Sequence, residues 1–419
     1  MKNLNSIQLI ALALLLSPVA ARSQAVPDSA VMGTGYANDV FYSFKDGEVA
    51  AVPRTNWDLG FQTMVWTATI ITNGGSDVEL YTYPKADTSG WGSVDTTGLS
   101  TWPVLYDSEH DWYEGAFNRN QAGHPDYGWG KYNPISHDVV GDSIYIIKTA
   151  DNKWRKIWIL RKNSIANTYY FRYANLDGND DQLIEMNNNP YLSKNFVYFS
   201  FTGNTVLDRE PDTASYDLLF TKYYSVQPNG TPYPVIGALN NLEVYANEFY
   251  PVGPDFIDWQ NMPFDSTKSP IGSDWKSFDF TSGWMMKDSL AYFVRTRDLE
   301  IYKLVFTGFT GSLGTGAALF EKTLVSAADV SEIIPGNSSF SVSPNPIHGL
   351  VTLGFSEVND SPAQVRLYDL SSRTVYETPG QISNGKLTLA IPKGRLNAGL
   401  HLMVISAGNQ TFSAKVLAD

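Results

Sequence analysis

Short runs in which apolar and polar residues alternate at every second position recur along this chain. They are clearest at the C-terminal end: Phe340-Ser341-Val342-Ser343, Gly349 to Phe355, Ala363 to Leu370, Lys386 to Ile391, Ala398 to Ile405 and Phe412 to Leu417. A period of two is that of half-buried strands. Pro, Gly, Asn and Ser fill the breaks, as turns require. This pattern predicts a small β-sandwich over 338–419. The N-terminal end has a different pattern. Lys2 precedes an almost unbroken apolar run from Ile7 to Leu16, Pro18 interrupts it, and Val19-Ala20-Ala21 offers small residues. That order predicts a secretory signal peptide over 1–21. No other stretch approaches the ~18 apolar residues of a membrane-spanning helix, so none is expected in the mature chain.

Between these ends the strand-like segments repeat. Val40-Phe41-Tyr42-Ser43-Phe44 returns as Val197-Tyr198-Phe199-Ser200-Phe201, with Val197 standing 157 positions after Val40. Trp57-Asp58-Leu59-Gly60-Phe61 returns as Tyr216-Asp217-Leu218-Leu219-Phe220, with Asp217 standing 159 positions after Asp58. Val78 to Tyr81 is echoed by Leu242 to Tyr245, and Asp142 to Thr149 by Asp288 to Thr296. Both of the last segments lead into a basic-aromatic strand, Trp154 to Ile159 and Ile301 to Phe306. Matching order and nearly constant offsets predict two related β-rich units, 22–190 and 191–330. The join Asn187 to Asn195 is short and has no Gly/Ser or Pro run, so the units are expected to pack together. Pro335-Gly336-Asn337-Ser338-Ser339 suits a cleavable linker, placed at 331–337. The fold expected is therefore all-β.

Composition narrows the chemistry. Of 419 residues, 43% are hydrophobic and 17% charged, which describes a globular chain. Thirty basic against 43 acidic residues give a net charge of −13. That balance argues against nucleic acid, which needs clustered Lys and Arg. There is no Cys. Disulfides, thiolate metal sites and cysteine nucleophiles are excluded, as is a lipid anchor on a mature N-terminal Cys.

The C-terminal segment closely resembles the type A sorting domain of the type IX secretion system. The resemblance rests on Ser343-Pro344-Asn345-Pro346, Val365-Arg366-Leu367-Tyr368-Asp369-Leu370, Ala398-Gly399-Leu400 and the terminal Lys415-Val416-Leu417. Its sorting motif residues are Pro344, Asn345, Pro346, Gly399 and Lys415. One departure is His401, where the family often has Tyr. The resemblance implies transfer across the outer membrane to the cell surface or medium, and the type IX machinery as a partner. The repeated units resemble the HmuY-like family of haem-binding proteins. Here the carriers are the two aromatic-Asp-Leu motifs, Thr72-Asn73-Gly74-Gly75, the strands from Ser143 to Ile159 and from Tyr292 to Phe306, and Gly308, Gly311 and Gly314. This resemblance implies an all-β fold and haem or another small ligand. It assigns no ligand residue, and the absent Cys departs from the lipoproteins common in that family.

Candidate ligand residues are few. The cargo has three histidines, His110, His124 and His137, all in the aromatic-rich stretch Trp102 to Asn133 or just after it. Haem or a metal needs imidazole nitrogens converging on one point, and these spacings form no local motif. Met285 and Met286 could offer thioethers, although a Met pair entering a strand reads as core. Asn175, Asp177, Asn179, Asp180 and Asp181 could surround Ca²⁺ but also make a tight turn, and they lack the EF-hand order. The repeated Asp58 and Asp217 read as loop-fixing groups bonded to backbone or a nearby cation. Gly-x-Ser-x-Gly, His-Glu-x-x-His and P-loop motifs do not occur. The function expected is non-catalytic: a secreted ligand-binding module, or alternatively a structural or adhesive surface protein without a small ligand. Deleting 338–419 should leave the cargo in the periplasm on cell fractionation. Normal surface levels of the truncated protein would overturn the sorting role.

Overall fold

Val, Ile, Phe, Tyr and Trp crowd short segments here, and such residues fit a pleated, half-buried surface. Accordingly, among the described residues the regular structure is β-strand, with only short 3₁₀ turns between. A computed structural model describes residues 24–326, 340–343, 347, 349–355, 359–369, 373–392, 394–408 and 410–418. The expected signal peptide 1–21, the linker 331–337 and Pro344, Asn345 and Pro346 lie outside the described residues. Two compact units result, one running to Ala327 and one from Ala328.

The first unit is built from three consecutive blocks of chain. The opening block holds β1 (Val26–Val31), β2 (Asn38–Ser43) and β3 (Gly47–Pro53). The middle block begins with β4 (Leu59–Gln62), β5 (Ile70–Thr72), β6 (Glu79–Thr82), β7 (Gly130–Asn133), β8 (Asp138–Gly141) and β9 (Tyr145–Lys148). It continues through β10 (Trp154–Asn163), β11 (Thr168–Asn175), β12 (Gln182–Asn187), β13 (Phe196–Ser200) and β14 (Thr205–Leu207). The last block holds β15 (Leu218–Val226), β16 (Pro232–Asn240), β17 (Tyr245–Phe249), β18 (Lys276–Asp279), β19 (Gly283–Met286), β20 (Ala291–Arg295), β21 (Ile301–Phe309) and β22 (Ala317–Ser326).

These strands form two sandwiches. In one, the five-stranded sheet β1-β22-β21-β20-β17 faces the four-stranded sheet β16-β15-β2-β3. Its core joins Tyr42, Phe44, Phe220, Trp275, Tyr292, Phe306 and Phe320. In the other, the four-stranded sheet β14-β13-β4-β5 faces a seven-stranded sheet built on β12-β11-β10. There β10 pairs with β9 along Trp154 to Ile157 and with β8 along Arg161 to Asn163, either side of a bulge. Burying each Phe or Leu of these cores contributes ~1.5–3 kcal/mol. With no disulfide, this packing carries the fold.

The sequence repeat and the sandwiches are out of phase. In each repeat the opening three strands (β1–β3, or β12–β14) leave the eight that follow and complete the opposite sandwich. So β2 pairs with β15, and its counterpart β13 pairs with β4. The division at 190/191 therefore falls within one sandwich, whose strands run without interruption from β4 to β14. The other sandwich is assembled from both ends of the unit. Its closure is the β1–β22 pair, Val26 opposite Lys322 to Val31 opposite Ala317. Asp28 fastens that pair, accepting from Lys322 Nζ at 2.8 Å and from the Tyr42 hydroxyl at 2.7 Å.

The repeated aspartates sit where the exchanged strands end. The backbone N–H of Phe201 donates to Asp58 Oδ2, and that of Phe44 donates to Asp217 Oδ2, both at 2.8 Å. Asn73 and Asn241 repeat as well: their Nδ2 atoms donate to the carbonyls of Arg54 and Trp57, and of Thr213 and Tyr216. The loop-fixing reading of Asp58 and Asp217 thus matches the geometry. Gly75 brings the two sandwiches close, since a Cβ there would lie 2.1 Å from the Lys222 carbonyl oxygen.

The second unit is a smaller sandwich. Strands β23 (Phe340–Ser343), β24 (Leu350–Phe355), β25 (Ser361–Tyr368), β26 (Thr374–Ile382), β27 (Lys386–Ala390), β28 (Gly399–Ala407) and β29 (Gln410–Ala418) form sheets β23-β24-β27 and β26-β25-β28-β29. Val351, Leu353, Val365, Leu367, Met403 and Ile405 fill the space between. Gly399 opens β28 with φ 130°, and Lys415 is exposed on β29. His401 is buried, with Nδ1 3.1 Å from the Gly399 carbonyl oxygen.

The two aspartates should respond differently to conversion to Asn. Burial pushes the Asp217 carboxyl up to about 6 from 3.8. Between pH 4 and 6 the folded state then keeps a proton that the unfolded chain releases, so this group's contribution falls as pH rises. Asp217→Asn keeps an acceptor for Phe44 and should remove that fall, gaining roughly 1–3 kcal/mol at pH 7 relative to pH 4. Asp58 accepts through both oxygens, from Ala150 N and Phe201 N. Asp58→Asn leaves one of these N–H groups unpaired and should cost about 1–3 kcal/mol. Urea titrations across pH check both; an Asp217→Asn curve parallel to wild type would refute the first.

Candidate functional site

The three cargo histidines part company in the structure. His110 is exposed and lies where the two sandwiches meet. Its Nδ1 is 3.0 Å from Ser269 Oγ, its carbonyl accepts from Lys268 N, and its Nε2 is 3.7 Å from Glu109. It is a bridging residue, remote from the other two in role. His124 and His137 line one cleft at the end of the middle-block sandwich, with a volume of about 730 Å³.

Three connections build that cleft. The β4–β5 loop supplies Val65, Trp66, Thr67 and Ala68, and the β10–β11 turn supplies Ser164 and Ile165. The segment around β7 and β8 supplies His124, Tyr127, Tyr132, His137 and Val139. Tyr132 links the histidines. Its hydroxyl is 2.7 Å from His137 Nδ1, and its ring centre is 5.2 Å from that of His124. Tyr127 meets the His124 ring edge to face at 6.2 Å. Trp66 is 84% exposed and Ile165 76%, so the mouth is an apolar surface open to water.

Lys162 shapes this mouth. It is fully buried, and its ammonium donates to the carbonyls of Met64, Val65 and Thr67. Burial pushes its pKa down to about 7, while the three carbonyls favour the charged form. Trp129 Nε1, at 2.8 Å, and Asn118 Nδ2 donate to Ala68 O and hold the loop's other end. Trp66, Ile165 and Lys162 were not singled out by sequence reasoning. The available signal was weak: an apolar pair, Val65-Trp66, inside a segment that otherwise reads as a turn.

The remaining sequence candidates do not join the cleft. Met285 is exposed on β19, and Met286 packs against a core. Asp181 pairs with Arg172, and Asp177 accepts from Asn179 N, closing a tight turn. Among the described residues no group of three or more His, Asp or Glu side chains is placed to hold a metal ion. Among them, too, no helix is long and apolar enough to cross a membrane.

Comparison with known proteins bears on the C-terminal unit. Residues 341–419 match the family described as the secretion system C-terminal sorting domain. This is the type IX signal, so the chain is a secreted or cell-surface protein that engages the type IX machinery. No curated protein matches the chain. Among solved structures, dimeric latent PorU from Porphyromonas gingivalis is similar at 10% identity over 84% of this chain, with a TM-score of 0.16. The chain spans 31% of that protein, and a likeness of this degree defines neither fold nor role.

Lys162→Met should strand three carbonyls and loosen the Trp66 loop. We expect a loss of about 1–3 kcal/mol by chemical denaturation, with faster proteolytic cutting at 64–67. Unchanged stability and cutting would show that the loop is held without the lysine.

Proposed function

We propose that this protein is a non-catalytic ligand-binding protein, exported through its N-terminal signal segment and type IX sorting domain. Its ligand seat is the Trp66–His124–His137 cleft, and the ligand is a flat, largely apolar ring compound, with haem the expected one. The observation that carries this reading is convergence: two histidines separated by a turn and a strand meet in one aromatic cleft. The Tyr132 hydroxyl occupies His137 Nδ1, which leaves Nε2 for a ligand. Orienting an imidazole through its other nitrogen is how ligand histidines are usually fixed. Trp66, Tyr127 and Ile165 supply the apolar surface a porphyrin face needs. Bound haem would supply an iron centre that takes imidazole nitrogen, and His124 and His137 are the residues to hold it. The HmuY-like resemblance of the repeats points the same way.

A second reading has its own observation. Phe280 and Leu313 are 99% exposed on turns of the other sandwich, as on an adhesive surface that meets a partner through apolar tips. Haem titration of the mature chain separates the two. A sharp Soret shift that His124→Ala or His137→Ala abolishes, with His110→Ala unchanged, is the expected result. Flat spectra with the wild-type chain would reject haem and favour the adhesive reading.

A further inference from the structure

A second cleft, of about 90 Å³, lies between the two sandwiches and shares no residue with the histidine cleft. The two chain crossovers contribute to its walls. Trp57 stands on the crossover from β3 to β4, and Arg209 on the crossover from β14 to β15. Lys268 comes from the long β17–β18 connection, and Asp107 from the stretch between β6 and β7.

The hydrogen-bonding groups of this cleft are unbalanced. Its two carboxylates are already engaged. Asp39 accepts from Arg209 Nη2 at 2.7 Å and from the Thr221 hydroxyl at 2.6 Å. Asp107 accepts from Thr72 N at 3.2 Å and Ala116 N at 2.7 Å. Donors are left over. Trp57 Nε1 and Arg209 Nε are buried without a hydrogen-bond partner. The Lys268 ammonium lies over the Trp112 ring at 4.5 Å, within the field of the Asp107, Asp111 and Glu109 carboxylates. Trp57 and Arg209 are 8% and 9% exposed, so bulk water does not serve these two donors.

A buried N–H is rarely left unpaired, and a cluster of them marks a missing acceptor. Water brings donors as well as acceptors, whereas the leftover groups here only donate. An oxyanion accepts without donating, and Lys268 supplies positive charge for it, while Arg209, paired with Asp39, offers its Nε as a donor. The aromatic walls of Trp57 and Trp112 suit a small organic group attached to that anion. We propose that the inter-sandwich cleft is a binding site for a small oxyanion, a carboxylate in particular, held by Lys268 Nζ, Arg209 Nε and Trp57 Nε1. Residues of both sandwiches meet there, so occupancy would also tie the sandwiches together.

The test is a thermal-shift titration of the mature chain at fixed pH and ionic strength. Sodium acetate and sodium phosphate are the probes, with sodium chloride as background. Acetate should raise the melting temperature in a saturable way, and Lys268→Met should weaken its apparent affinity at least tenfold. Should Lys268→Met fail to fold, Trp57→Phe keeps an aromatic ring, removes the N–H and carries the same expectation. A response to phosphate equal to that of acetate would support an oxyanion site without carboxylate preference. No saturable response to either probe, or equal responses from wild type and variants, would overturn the proposal. So would a crystal structure grown in acetate with only water in the cleft.

Discussion

Two buried carboxylates facing backbone N–H groups are the constraint on which this architecture depends. Where a strand leaves its own repeat to complete the opposite sheet, its last amide is buried and needs an acceptor. Asp58 and Asp217 provide it, each reaching across to the final Phe of the other repeat's strand. Asn73 and Asn241 then tie down the crossovers themselves. Both carboxyls are pushed up by burial. The molecule tolerates this desolvation because the bonds decide which strand pairs with which. The same motif, used twice, makes the exchange reciprocal.

That exchange shapes the surfaces where ligands can sit. Two crossovers pass side by side between the sandwiches, and polar side chains that serve neither core accumulate there. Glu210 is one: it accepts from the hydroxyls of Tyr198 and Tyr216 and from the amides of Asn195 and Phe196. Trp57 and Arg209 are others, and their Nε1 and Nε donors are left over. The Trp66 cleft has another origin. It lies at a free end of the middle-block sandwich, where the insertion between β6 and β9 turns back over the core. Lys162 reaches through that core to hold the loop from within. A rigid scaffold with variable end loops is the usual division between stability and recognition.

Without cysteines, the exported chain relies on aromatic packing and strand closure. Trp275 stacks on Phe306 at 3.9 Å, and Phe220 lies parallel to Phe320 at 5.9 Å. The β1–β22 pair joins the two ends of the cargo unit. Proteolysis or unfolding at either end must therefore break a sheet that the other end completes. For a protein that crosses membranes and then works outside the cell, this closure substitutes for a covalent staple.

Period-two alternation, turn residues and repeated motifs were local properties of the sequence, and local physics sufficed to read them. The all-β class, the sorting sandwich and the loop-fixing role of Asp58 and Asp217 were all legible this way. Pairing was not legible. β2 had equal claims to β4 and β15, because Leu59 to Phe61 and Leu218 to Phe220 present nearly the same surface. Only the short reach of the crossovers and the packing of whole sheets settled the choice. The sites were less legible still. His124 and His137 become neighbours because β7 and β8 fold back on each other, and Lys162 matters because its ammonium ends beneath a loop nearly a hundred residues earlier in the chain. Convergence of distant side chains depends on the packed arrangement of many strands, and no run of neighbouring residues encodes it.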